Sequence, residues 1–290
     1  MYVFPWFIHG FILTNTQIDQ NLDTEQKKYI TNIHESFFFE NHFFIVLDLC
    51  GPSMLNLLEQ RGFAGFPLPE IQRLLKGLMR ALSGLASLNI IHCDVKPENI
   101  LNGMNENQDV KLIDFGTCFF SGECYPNYVQ SRYYRSPEVF LKLPFGTKAD
   151  AWSLGCVAAE LMLGLPLFPA LNEVHLIYLV NDMMGVFPKG MYEKSIYGLD
   201  YIDKNGNSIL CEDLKMVLME WKPYFVQKTL SSIIMSYSFD PSLTEEEMEK
   251  ERENREIFIS FLKSLLEIDP NNRSSVADAM QHQFMKINFK

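Results

Sequence analysis

His92-Cys93-Asp94-Val95-Lys96-Pro97-Glu98-Asn99 sets an acid, a lysine and an amide within eight residues. Phosphoryl transfer asks for those three groups around one centre. A carboxylate orients the attacking hydroxyl and accepts its proton, a lysine offsets charge on the moving phosphate, and an amide oxygen holds Mg²⁺. Alone, the stretch also reads as an ordinary polar turn. A second motif downstream narrows the choice. Leu112-Ile113-Asp114-Phe115-Gly116 is an apolar strand ending in Asp-Phe-Gly. Such a strand delivers a second carboxylate to a metal site, and its glycine lets the chain turn away.

Upstream of the loop, residues 69–88 read as a helix. Pro69 suits the first helical position and Glu70 the positive end of the dipole. Ile71, Leu74, Leu75, Leu78, Leu82 and Leu85 keep a helical apolar face. Residues 147–163 predict a second helix, apolar nearly all round and therefore central. Thr147 and Asp150 have the spacing of a capping box with Asp in place of Glu. Between these helices NIIHCDV, ENILNG and DVKLIDFG predict small hairpins. Nearer the N-terminus, ITNIHESFF and HFFIVLDL predict two strands joined by a turn, with Gly51 and Pro52 breaking the pattern after them.

Downstream, residues 185–240 look irregular, apart from Asn205-Gly206, which suggests a hairpin. The mixed-charge tract 244–256 reads as a solvated loop or helix start, and a last helical pattern runs on from Ile257. Strands before about residue 50 and helices after 69 make an α+β chain, a small β layer on a helical lobe.

The chain has 290 residues, is 47% hydrophobic and carries a net charge of −11. That is enough apolar content for one large core and argues against disorder. The acidic balance disfavours a nucleic-acid face. The six cysteines form no CxxC pair, so reduced thiols in the cytoplasm and/or nucleus are expected. Residues 1–13, MYVFPWFIHGFIL, are apolar but too short to span a bilayer and lack a basic leader. A buried strand, a short helix or a misplaced gene start would each produce them. No membrane partner is expected.

Taken in order, HCDVKPEN, LIDFG, Ser136-Pro137-Glu138, Asp150-Ala-Trp152-Ser153-Leu-Gly155 and Asp269-Pro270-Asn-Asn-Arg273 resemble the signature series of eukaryotic protein kinases. IIHCDVKPENIL (90–101), YVQSRYYRSPEVFL (128–141) and GFPLPEIQ narrow the resemblance. The chain is similar to the dual-specificity tyrosine-regulated kinases (DYRK) of the CMGC group. The resemblance implies a protein kinase-like fold, with a mainly helical C-lobe and a truncated β-rich N-lobe. Residues 1–28 stay unmatched, 29–50 form an N-lobe remnant and hinge, and 51–290 form the C-lobe with a CMGC-type insert at about 185–255.

It also implies roles. Asp94 and Lys96 would be catalytic, and Asn99 and Asp114 would hold Mg²⁺ and ATP. Asp48 and Leu49, next to a gatekeeper Leu47, would read adenine through the backbone. Glu138 and Arg273 would pair across the lobe, and Asp150 would hold the catalytic loop. Tyr128 would be autophosphorylated, with Arg132 and Arg135 clamping its phosphate because Cys93 stands where most kinases have Arg. The plainer reading makes Tyr128 a packed aromatic, the arginines surface residues and Cys93 a small filler. Protein Ser/Thr hydroxyls would be the substrates.

One part of the pattern is missing. No G-x-G-x-x-G and no Val-Ala-Ile-Lys-like strand stands before residue 30, and Ile12 falls where a helix-C glutamate is expected. Two accounts compete: a truncated reading of an active kinase, which the intact Asp94 and Asp114 favour, and a pseudokinase serving as an interaction module. In either case the 290-residue chain is expected to bind ATP weakly.

Overall fold

The structure is a computed structural model that describes residues 16–103, 110–122, 128–196, 198–223, 225–238 and 241–289. The apolar segment 1–13 and Pro126 lie outside these residues. Strands β1 (Ile33–Phe39) and β2 (His42–Leu47) form an antiparallel hairpin in which Phe37 faces Phe44. Glu40 and Asn41 turn it with φ of 45° and 63°. Two successive left-handed residues give the twist that a tight hairpin needs. Helix α1 (Met54–Gln60) comes after the linker, opened by a capping box between Ser53 and Asn56.

The helical body is organised on α2 (Leu68–Ser87) and α3 (Lys148–Leu163). Every residue of α3 from Ala149 to Leu163 is buried, as its all-round apolar sequence requires. Helix α4 (Glu173–Met184) starts from an Asn172 cap, and α5 (Glu245–Leu265) from a Thr244–Glu247 capping box. The mixed-charge tract is thus the solvated first half of α5, whose apolar second half packs on α3. A Cβ on Gly155 would stand 2.9 Å from Leu266 side-chain atoms, so glycine is what lets these two layers meet. Likewise Gly77 leaves room for the Tyr29 ring, 2.7 Å from where a Cβ would be. That contact lays the strap 16–32 along α2.

Short strands carry the loops above this body. β3 (Ile90–Ile91) pairs with β6 (Phe119–Phe120), and β4 (Ile100–Leu101) with β5 (Lys111–Leu112), all antiparallel. The strap joins them, since Leu112 N donates to Tyr29 O and Thr31 N to Leu112 O.

Three local expectations need correction. Thr147 is itself helical in backbone and makes no side-chain cap, because Asp150 is engaged elsewhere. Asn205-Gly206 turns a loop closed by one isolated bridge, Ile202 to Ser208, rather than a full hairpin. The stretch after 185 also holds more regular structure than its sequence suggests, with short helices at Lys189–Tyr192, Glu212–Glu220 and Leu230–Ser236.

Candidate active site

The loop between β3 and β4 is held from below by one buried carboxylate. Asp150 accepts from the backbone N–H of His92 at 2.7 Å and of Cys93 at 3.0 Å. Those two bonds fix Cys93 at a φ of 64°, a left-handed conformation that a non-glycine residue keeps only under constraint. Burial pushes the Asp150 carboxyl up to about 7, against the two N–H donors that favour its charge. The Cys93 side chain is buried and its thiol is pushed well up by desolvation, so it fills space rather than reacting.

His92 ties the loop to the strand that carries Asp114. Its Nε2 lies 3.0 Å from Ile113 O, and its Nδ1 accepts from Asp94 N at 3.2 Å, which assigns the proton to Nε2. Ile113 N donates to Asn99 O at 3.0 Å, so the residue just before Asp114 is bonded to the backbone of the other metal-ligand candidate. Asp114 itself sits at φ 65° and is exposed, and its carboxylate accepts from Gly116 N at 3.3 Å.

Asp94 is surrounded by donors. Ser131 Oγ–H donates to its Oδ1 at 2.6 Å, Lys96 Nζ stands 2.7 Å from its Oδ2, and Asn99 Nδ2 donates to the same Oδ2 at 2.9 Å. Desolvation raises the carboxyl, but the bonds from Lys96 and Ser131 outweigh it and hold the group below the usual carboxylate range. A carboxylate offers about four lone-pair sites. Three are used here, which leaves one for an incoming hydroxyl. Because Asn99 spends its Nδ2 on Asp94, its Oδ1 is the atom left for a cation. Asn99 and Asp114 offer oxygen only, the donor type that Mg²⁺ takes, with phosphate oxygens and water completing the shell. The residues present therefore fit Mg²⁺ held jointly by protein and nucleotide.

The expected hinge differs in its side chain. Asp48 turns back to accept from Asn32 Nδ2 at 2.8 Å, and it meets His34 Nε2 and Lys111 Nζ at 2.9 Å each. It pins the hairpin to β5, and since its backbone N–H donates to Asn32 O at 3.2 Å, its carbonyl is the group left for adenine. Leu49 is 81% exposed. In the activation segment Tyr128 is exposed, with the Arg135 guanidinium 4.0 Å from its ring centroid. Arg132 instead donates through Nη1 to Leu171 O. Glu138 and Arg273 do pair, at 2.7 and 2.8 Å, in full burial.

Two participants escaped the sequence reading. Ser131 lies inside a stretch already singled out, yet only its position beside Asp94 gives it a role. Glu160 accepts from the Tyr134 hydroxyl at 2.8 Å inside the lobe. Desolvation and, less, the charge of Glu98 push its carboxyl up to about 7 despite that bond. A folded value above the ordinary 4.5 means that stability is full at acid pH and falls as the pH rises toward 7. Relative to Glu160→Gln, the parent chain is expected to lose roughly 3 kcal/mol between pH 4 and 8. Melting curves of the two proteins across that range check this, and parallel curves would sink it.

The fold and the order of these loops and strands are those of a protein kinase domain. Residues 11–285 match the protein kinase domain, and the chain belongs to that family. Its likeness within the family runs to the YAK1 and DYRK kinases. It is 36% identical over 94% of its length to the probable serine/threonine-protein kinase yakA of Dictyostelium discoideum, covering 20% of that protein. It is 31% identical over 92% of its length to the dual specificity protein kinase YAK1 of Saccharomyces cerevisiae, covering 35%. With human dual specificity tyrosine-phosphorylation-regulated kinase 4 the values are 32%, 91% and 46%. The chain thus spans between a fifth and about half of the length of these curated relatives.

Proposed function

We propose that the protein transfers the γ-phosphate of ATP to serine and threonine hydroxyls of proteins, and to its own Tyr128. The observation that carries this reading is the Asp94 carboxylate, ionised, fixed by Ser131, Lys96 and Asn99, and one lone pair short of saturation. Bound Mg²⁺ supplies charge neutralisation of the phosphates. The substrate hydroxyl forms the new O–P bond as the bond to the ADP oxygen breaks, and its proton passes to Asp94. Lys96, 3.1 Å from Ser131 Oγ, bridges the catalytic loop to the segment that would position the substrate. Self-phosphorylation obeys the same balance with the Tyr128 phenol as nucleophile.

A non-catalytic interaction module on this fold has less support. The YAK1 and DYRK relatives bear kinase names, and Asp94, Asn99 and Asp114 are all retained in the sequence. The free thiols of Cys50, Cys93, Cys118, Cys156 and Cys211 support a reducing compartment, cytoplasm or nucleus.

Residues 1–50 contain one glycine, Gly10, and so no phosphate-covering glycine loop. The 290-residue chain taken by itself should therefore hold ATP weakly while the transfer chemistry persists. The test is γ-phosphate incorporation into a Ser/Thr peptide by the 290-residue chain at millimolar ATP. Slow transfer, dependent on Mg²⁺ and far from saturation in ATP, is expected. No transfer at any ATP concentration by folded protein would overturn the assignment.

A further inference from the structure

We propose that Glu173 stands in for a phosphate on Tyr128, holding Arg135 until that phosphate forms and then moving to Lys142. The proposal rests on Tyr128 being the self-phosphorylated residue.

Arg135 is buried and committed on three sides. Its Nε and Nη2 donate to Val129 O at 2.9 Å and Gln130 O at 2.8 Å, which shapes the activation segment just after Tyr128. Only Nη1 faces outward, and it meets Glu173 Oε1 at 2.9 Å. Glu173 comes from the first turn of α4 and is 44% exposed at its side chain, so it can leave. It has somewhere to go, because Lys142 Nζ is already 3.5 Å from the same oxygen.

The place left behind suits a phosphate. The Tyr128 ring lies on the Arg135 guanidinium, at 4.0 Å. Burial pushes the Tyr128 hydroxyl up, but a bond from Arg135 and the charges of Arg135 and Arg132 outweigh it. They hold the hydroxyl below the usual phenol range, with Glu173 opposing them. Both arginines and the glutamate therefore act on the atom that would carry the phosphate. Arg132 also keeps a buried Nε–H without an acceptor among the described residues, a donor in reserve. A phosphate brings a charge of about −1.5 to −2 and three acceptor oxygens. It outbids one carboxylate for Arg135, and the two anions repel, which drives Glu173 toward Lys142.

The consequence is an activation segment kept in order before phosphorylation by a carboxylate from α4. Glu173 is a positioning residue, without contact to substrate or nucleotide.

The test needs no catalysis. The full chain is made with tyrosine or with genetically installed phosphotyrosine at position 128, each with and without Glu173→Gln. In the tyrosine form the substitution is expected to lower Tm by about 2–4 °C. It should also speed hydrogen exchange of residues 128–135 severalfold. In the phosphotyrosine form it should change neither, since the phosphate already holds Arg135. An equal effect in both forms, or none in the tyrosine form, overturns the exchange. Because no ATP is present, these outcomes are independent of whether the chain transfers phosphate.

Discussion

Asp94→Asn is expected to reduce peptide phosphorylation by about 10²–10⁴-fold, the usual contribution of a positioned general base. The loss should fall on kcat, with KM for ATP unchanged. In the proposed reaction Asp94 faces the acceptor hydroxyl, and its bonds run to Ser131, Lys96 and Asn99 rather than toward the hinge. An asparagine at this position keeps an oxygen for one of those donors but has no free negative charge to take the proton. It also turns an N–H₂ toward Lys96 or Ser131, so the loop gains a donor facing donors. Transfer rates at fixed ATP, set beside direct titration of ATP binding to the parent and the variant, separate the two effects. A variant that loses ATP affinity as steeply as turnover would recast Asp94 as a structural residue of the loop, and the remaining transfer would need another base.

How far this site was legible depends on how local its determinants are. HCDVKPEN and LIDFG were readable because each packs its chemistry into a few consecutive residues. The helix over 68–87 was readable because one apolar face repeats with the helical period. Asp150 shows the opposite case. Thr147 and Asp150 have capping-box spacing, yet the carboxylate bonds His92 and Cys93, 58 and 57 residues away in sequence. A local rule cannot see that competitor, and two buried backbone donors outrank one exposed cap. Asp48 behaves alike. The sequence offers it as a hinge residue, and its side chain is claimed by Lys111 and Asn32. Ser131 and Glu173 were silent for the same reason: a serine or glutamate acquires meaning only from what folding places beside it. The aromatic run of β1 and β2 identified strands correctly but not their cover. Phe38 is 70% and Phe39 59% exposed, so strand propensity expresses itself here without a packed face among the described residues.

The second large effect concerns the bond that closes the lobe. Glu138 and Arg273 are joined by two short hydrogen bonds, with side chains 1% and 0% exposed. Arg273 also donates to the carbonyls of Glu267, Lys148 and Ile268, and its guanidinium lies 5.2 Å from the Trp152 ring centroid. Glu138 belongs to the short helix that begins immediately after the activation segment, so the pair anchors that segment to the far loop at 267–273. Arg273→Met removes the charge partner and leaves a carboxylate buried without water. The expected cost is about 3–5 kcal/mol. For a chain of this size that corresponds to a fall in Tm on the order of 10 °C. Adding Glu138→Leu to Arg273→Met should recover part of the loss, because two apolar neighbours no longer strand a charge. Recovery stays partial, since the three carbonyls that Arg273 served remain without their donor. Calorimetry on the two variants decides the matter. If Arg273→Met melts within about 2 °C of the parent, the ion pair is redundant and the bonds of Gln130, Ser131, Tyr134 and Arg135 suffice to hold the activation segment. If the double variant falls as far as the single one, the carbonyl bonds rather than the charge pair carry the stability.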